Sequence, residues 1–369
     1  MMSNRAALVA ASIAFVFGLI GSLALRPPGD VGVINRTNEP GTEAVRIRWR
    51  VPTSASSNLP VIGDNTKYIS EAARRGSNGS IELQMFNPGE IVPAFAITDA
   101  VRDGKVNAGY TWLGYDQGKT PASALVAAVP FGMEPWEYSA WWFHAGGREL
   151  TEELYATYNI HPIYCGMTGP ETAGWFREPI QSLDDVSGLK IRFAGIGGKV
   201  MERAGASVTM LPSGEIFQAL EKGAIDATEY ALPIVDQALG FSRVAKFNYY
   251  PGWHQPFTAS HFIVNLDVWR KLRDADKGLL TTTCTAAVTR NMAMSEALQG
   301  SVIAGFDDIG VTAMVLPMEI LRELQRISDE VLDEEADKDP VFAKILASQQ
   351  KFRTEYELWK RLAYLPRDF

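Results

Sequence analysis

Ten residues of this chain recur. Residues 99–108, DAVRDGKVNA, match residues 218–227, QALEKGAIDA, at an offset of 119 positions. Each copy reads as the end of a helix, a glycine stop (Gly104, Gly223) and a short strand of the form Val/Ile-Asn/Asp-Ala. Both copies follow a strand-and-helix pattern, so the repeat predicts two related α/β lobes, each with a sheet flanked by helices.

The second copy lies within the most informative stretch, Gly188 to Pro233, which alternates strand, helix, strand, helix, strand. Its strand ends carry Arg192 and the pair Glu229-Tyr230. In open α/β sheets ligands bind just beyond the carboxyl ends of the strands. Polar groups delivered there outline a pocket for a small anion. Elsewhere the pattern predicts strands at 44–51 and 81–86, a helix from Asn65 to Gly76, and a helical stretch at 136–157. Two long strands, 160–166 and 258–264, suit crossovers between lobes. A long helix follows at 267–305, a short strand at 311–316, and a charge-rich helical end from Pro317 to Tyr364. The expected organisation is lobe I at 44–160 plus about 233–260, lobe II at 161–232 plus about 261–330, and C-terminal helices at 331–369. Those helices are also a candidate surface for a homodimer.

Ahead of the lobes, Arg5 precedes a 20-residue uncharged, mostly apolar run from Ala6 to Leu25. This is an export signal, with Ser22-Leu23-Ala24 as a small-x-small cleavage site. Its length also suits a retained membrane anchor, so residues 1–24 are read as signal peptide or N-terminal anchor, and 25–43 as a linker. The functional part then lies outside the cytoplasm, in the periplasm.

With 46% hydrophobic residues the chain can build a sizeable core. Its formal charge is −8 and Lys and Arg do not cluster, which excludes nucleic acid and anionic membrane surfaces as partners. The two cysteines, Cys165 and Cys284, lack neighbouring Cys or His, so no zinc motif forms; one disulfide or two buried thiols remain open.

Catalytic signatures are missing: no G-x-S-x-G elbow, no H-E-x-x-H helix, and glycines at 195–198 without phosphate-loop spacing. His254 and His261 read as satisfied or exposed histidines rather than metal ligands. The chain is therefore not expected to be an enzyme. What converges is Arg192, whose planar fork suits a carboxylate, with Glu229 and the loop residue Glu171. A carboxylate beside an anion site makes sense if a cation lies between them. Trp112, Trp175 and Tyr230 are expected to wall the cavity.

These residues lie in segments that together resemble one family: AVPFGM, CGMTGPETAGWF, DDVSGLKIRFAGIGGKVMERAG, LPSGEIFQALEKGAIDATEY and GFSRVAKFNYYPGWHQPFTA. The chain resembles the periplasmic solute-binding subunit of a tripartite ATP-independent periplasmic (TRAP) transporter, in the branch for 2-oxo acids and mannitol or chloroaromatic compounds. The resemblance covers nearly the whole chain after the N-terminal segment. It implies a two-lobed fold with mixed sheets, a long lobe-spanning helix, and hinge closure over a small organic acid delivered to membrane permease subunits. It implies that Arg192 binds the ligand carboxylate. A Gln in the GWF loop and a Glu-Trp pair hold a bridging metal ion in that branch, positions that fall on Glu171, Glu229 and Tyr230 here. If the third ligand is a backbone carbonyl, Tyr230 preserves it. Gln to Glu at 171 adds a negative charge that Na⁺ leaves uncompensated, which favours Ca²⁺; a protonated Glu171 or a ligand bearing a positive group would balance it instead. A membrane-anchored sensing subunit for the same acids is the alternative, and a metal-dependent lyase or hydrolase acting on them a third reading.

Overall fold

The computed structural model describes residues 44–365; the expected signal or anchor and linker lie outside the described residues. The strands are β1 (Ile47–Pro52), β2 (Ile81–Phe86), β3 (Ala108–Trp112), β4 (Ile160–Met167), β5 (Gly174–Phe176), β6 (Lys190–Arg192), β7 (Ser207–Thr209), β8 (Ala227–Thr228), β9 (Phe247–Tyr250), β10 (Ala259–Asn265) and β11 (Thr312–Val315). Strands β1 and β2 pair in parallel, and Thr53 bridges to Tyr110 at β3. The alternation of β1 explains its placement: Ile47, Trp49 and Val51 are buried while Arg48 and Arg50 are exposed.

Two larger sheets carry the rest. The first is antiparallel, in the order β3-β10-β4; the second is mixed, in the order β11-β9-β5-β8-β6-β7. This corrects the expected lobe boundaries. Strand β9, placed by the sequence reading in lobe I, pairs with β5 and β11 in the six-stranded sheet. Strand β10, most of which was placed in lobe II, pairs with β3 and β4. The long strands β4 and β10 are thus neighbours in one sheet. The chain crosses between the sheets just beyond them, at 168–173 after β4 and at 251–258 before β10.

The repeat is structural. The helices Ile97–Arg102 and Ser213–Glu221 end on Gly104 and Gly223, both at φ 69°, before β3 and β8. Their closing hydrogen bonds correspond: Lys105 N–H to Ala100 O and Ala224 N–H to Ala219 O, each 2.9 Å. The left-handed conformation at both stops explains why glycine recurs there.

The helix Asp274–Ala304 runs for 31 residues and contacts parts of both halves. Leu280, Cys284 and Ala287 join the core beneath β1, β3 and β10. Further along, Val302 and Ile303 pack on the cluster of Trp175, Ile216 and Phe241 in the other half. Cys165 of β4 and Cys284 form a disulfide, which decides between the two open readings. The C-terminal region divides at Asp339, whose side chain accepts from the Val341 and Phe342 N–H groups and caps the helix Pro340–Ala363. The preceding helix, Met318–Lys338, is tied to the helix Gly195–Arg203 by Lys199–Glu335 and Arg203–Glu334 ion pairs. The helical end thus begins at Met318, next to the Pro317 start read from the sequence, so the expected boundary at 331 falls inside its first helix, and both helices pack on the body of the fold.

The disulfide closes a span of 119 residues. Restricting the unfolded chain this way contributes about 4–5 kcal/mol on a chain-entropy basis. The Cys165→Ala/Cys284→Ala double variant should lose most of that in urea denaturation of the oxidised protein; a loss below about 1 kcal/mol would contradict it.

Candidate functional site

The crossings 168–173 and 251–258 run side by side and are laced together. Thr168 N–H donates to Thr258 O and Thr258 N–H to Thr168 Oγ1, each at 3.0 Å. A Cβ on Gly252 would stand 2.3 Å from the Glu171 carbonyl oxygen, so this approach needs glycine. Glu171 is carried by one crossing, and His254, Gln255 and Thr258 by the other.

The second set of groups comes from the parallel pair β6–β8. Arg192 is the last residue of β6 and faces Thr228 of β8, so Glu229 emerges beside it. Arg192 is 1% exposed. Its Nη1 donates to Glu229 Oε1 at 2.6 Å and to the Glu229 carbonyl at 2.8 Å, and its Nε to Leu211 O at 3.2 Å. The Tyr230 ring lies 5.3 Å from the guanidinium carbon, a cation–π contact. The Ala194 N–H, at the start of the helix Gly195–Arg203, also donates to Glu229 Oε1 at 2.6 Å. A carboxylate at a helix N-terminus is electrostatically favoured.

Burial works against a charged Glu229, but Arg192, His254 and the Ala194 N–H outweigh it and hold the carboxyl below its usual range. Glu171 behaves oppositely. Burial, and then the Glu229 charge, push it well above the usual range despite a hydrogen bond from the Thr258 hydroxyl to Oε1. Asp236, buried behind the site, is raised to about 8 by burial, against a Trp175 Nε1–H bond of 2.9 Å.

Glu171, Arg192, Glu229, Tyr230 and Trp112 all line one cavity of about 40 Å³, with Tyr110 and Tyr115. The Trp112 ring packs edge-on against Tyr115 at 5.0 Å. It also lies so close over Gly114 that a Cβ there would stand 2.2 Å away. Trp175 departs from expectation. It is fully buried among Ile216, Leu220 and Phe241 and is not a lining residue; its indole instead holds Asp236. A cavity of about 740 Å³ between Phe131, Trp136, Met292 and Leu321 is mostly apolar and contains none of the predicted site residues.

His254 is the residue that the sequence reading set aside. It is fully buried, and one of its nitrogens lies with a Glu171 oxygen and a Glu229 oxygen inside a group whose ligand atoms are all within 4.8 Å of one another. Nothing in its spacing from His261 revealed this, because its partners come from two other segments. The sequence did contain a signal in the Pro-Gly turn ahead of it, whose Gly252 lies against the Glu171 backbone. A cation suits these residues: Oε2 of each glutamate is buried without a hydrogen bond, which leaves two oxygen ligands of the kind hard ions prefer.

Residues 53–339 match the family described as bacterial extracellular solute-binding protein, family 7, and the chain belongs to it. Its relatives include a monocarboxylate 2-oxoacid-binding periplasmic protein of Nostoc sp., 35% identical over 317 residues, or 86% of each chain. A TRAP transporter solute-binding protein from Bordetella bronchiseptica, solved with copurified calcium and picolinate in a mixed-occupancy dimer, superposes with a TM-score of 0.85. It is 31% identical, with 87% of this chain and 95% of that one covered. A counterpart from Pseudoalteromonas atlantica, solved with sodium and pyruvate, gives 0.83 at 31% identity, covering 86% and 97%. The chain is thus a TRAP-type solute-binding protein of a periplasmic family, and the family and its structural neighbours are receptors rather than enzymes.

A carboxyl with a raised folded pKa stabilises fully below its unfolded value and contributes less as pH climbs toward the folded one. For Asp236, between 3.8 unfolded and about 8 folded, stability should fall as pH rises across that window. In chelator, melting temperatures at pH 6, 7 and 8 should decline, and Asp236→Asn should flatten the decline. An unchanged slope in the variant would contradict the assignment.

Proposed function

We propose that this protein captures a small carboxylate, a 2-oxo or 2-hydroxy acid, by hinge closure over a bridging metal ion and delivers it to TRAP membrane permease subunits. The carrying observation is the convergence of Arg192, Glu229 and Glu171 on one cavity, where the crossings meet the ends of β6 and β8. The hydrogen bonds of Arg192 employ Nε and Nη1, which leaves Nη2 for the ligand carboxylate. The cation sits between Glu171, Glu229 and a second ligand oxygen, with Tyr230 offering a backbone carbonyl. Pyruvate with sodium and picolinate with calcium in similar proteins support both halves of this reading. At about 40 Å³ the cavity holds only a few water-sized groups, which favours a short acid and requires the halves to part for entry. Closing excludes water and strengthens the charge contacts.

Arg192→Lys should weaken binding of sodium pyruvate by about 30-fold or more in isothermal titration, because a single ammonium cannot keep the Glu229 and Leu211 bonds and also reach the ligand as the guanidinium's free Nη2 can. Binding within threefold of the parent would remove Arg192 from the ligand. Trp112→Ala, by opening the cavity wall, should admit longer 2-oxo acids that the parent excludes; an unaltered chain-length preference would show that Trp112 sets no limit.

We further infer export through the apolar run 6–25. An intact mass beginning after Ala24 fits cleavage, whereas a retained run favours the membrane-anchored sensing subunit. The homodimer is proposed on the exposed Leu358, Trp359 and Leu362 of the last helix. Leu358→Glu/Leu362→Glu should then yield monomers in light scattering, and an unchanged mass would dismiss that surface.

A further inference from the structure

Four ligand atoms at the site are buried and find no hydrogen-bond partner among the described residues: Glu171 Oε2, Glu229 Oε2 and both nitrogens of His254, of which Nε2 faces the glutamates. Each glutamate has committed its other oxygen. Glu229 Oε1 accepts from Arg192 and the Ala194 N–H, and Glu171 Oε1 accepts from Thr258. The free atoms face one another. His254 Nε2 lies 3.4 Å from Glu229 Oε2 and 3.9 Å from Glu171 Oε2. The imidazole is held by aromatic packing, with the Phe193 ring 4.7 Å and the Trp253 ring 5.6 Å away, both near edge-on. Such a cluster of lone pairs, brought from three separate segments and shielded from water, calls for positive charge at its centre.

Donors bound to one ion at about 2.1 Å stand roughly 3.0–3.5 Å apart; the 3.4 Å His254–Glu229 pair already meets this, and Glu171, 3.9 Å from the imidazole, has only to draw in by a few tenths of an ångström. Charge decides the valence. With both glutamates ionised as ligands, they, Arg192 and a ligand carboxylate sum to −2, which a divalent ion cancels and Na⁺ does not. The nitrogen decides the class: calcium prefers all-oxygen surroundings, whereas a mixed imidazole and carboxylate set suits zinc and its neighbours.

We propose that His254 is a third protein ligand to the bridging cation, alongside Glu171 and Glu229, and that it turns the site toward a nitrogen-accepting divalent ion of the zinc class over Ca²⁺ and Na⁺. This rests on the carboxylate-and-cation reading above and narrows it. Both glutamates also line the cavity, so an ion held here keeps a face for the two oxygens of a 2-oxo acid.

The test uses the full chain, stripped with chelator and titrated with ZnCl₂, CaCl₂ and NaCl without any organic acid. The expected result is one Zn²⁺ per chain, bound at least 100-fold more tightly than Ca²⁺. His254→Gln should weaken Zn²⁺ at least 30-fold and change Ca²⁺ less than threefold. The exposed His144→Gln should leave both unchanged, which separates the site from adventitious surface zinc. X-ray absorption of the zinc-loaded parent should show scattering from one imidazole, a readout that does not depend on the variant folding. Tighter Ca²⁺ than Zn²⁺, Zn²⁺ binding untouched by His254→Gln, or no imidazole scattering would each overturn the proposal. Failure here is distinguishable from failure of the broader reading. If sodium pyruvate binds with Ca²⁺ or Na⁺ regardless of His254, only this inference falls; if it binds with no cation at all, the carboxylate-and-cation reading falls with it.

Discussion

A buried arginine–carboxylate pair organises this molecule. Taking Arg192 and Glu229 out of water is costly, and such a pair is a weak source of stability unless its remaining hydrogen-bonding capacity is used. Here the backbone supplies most of that capacity: the Leu211 and Glu229 carbonyls for the guanidinium, and the Ala194 N–H for the carboxylate. The parallel pairing of β6 and β8 sets the two side chains next to each other, and the helix beginning at Gly195 directs its N-terminus to the same place. The balance fails only when Glu171 is added, because a second acid enters the enclosure without a second base. That surplus of negative charge is what a receptor for an anion with a bridging cation requires, and what a merely structural core would avoid.

The site also explains the chain's path. Two sheets, one antiparallel and one mixed, are joined at 168–173 and 251–258, and those crossings bring Glu171, His254 and Thr258 to the carboxyl ends of β6 and β8. A group on a crossing moves with both halves, whereas Arg192 and Glu229 belong to one. The proposed closure would therefore change the distances among the charged groups, while the long helix Asp274–Ala304 packs on the cores of both halves.

Much of this was legible in the sequence, for physical reasons that can be named. The repeat around Gly104 and Gly223 was readable because a left-handed helix stop selects glycine locally. Arg192 and Glu229 were readable because they sit at strand ends in a strand–helix alternation. The lobe boundaries were misplaced because β9 and β10 are only eight residues apart yet belong to different sheets, and periodicity does not report a strand's partner. Trp175 was misassigned for a related reason: its neighbour Glu171 faces the cavity, but β5 directs the indole into the core toward Asp236. His254 was missed because its site neighbours Glu171 and Glu229 are 83 and 25 positions away, too far for any spacing rule, and only the meeting of separate segments joins them.

The account rests on an acidic ligand being neutralised by one guanidinium and one inorganic cation. A crystal structure of the protein with its copurified or added acid tests this most directly. The account predicts the ligand carboxylate on the Arg192 guanidinium and a metal ion between Glu171, Glu229 and a second ligand oxygen. A bound acid whose carboxylate lies away from Arg192, with no cation between it and the two glutamates, would contradict it.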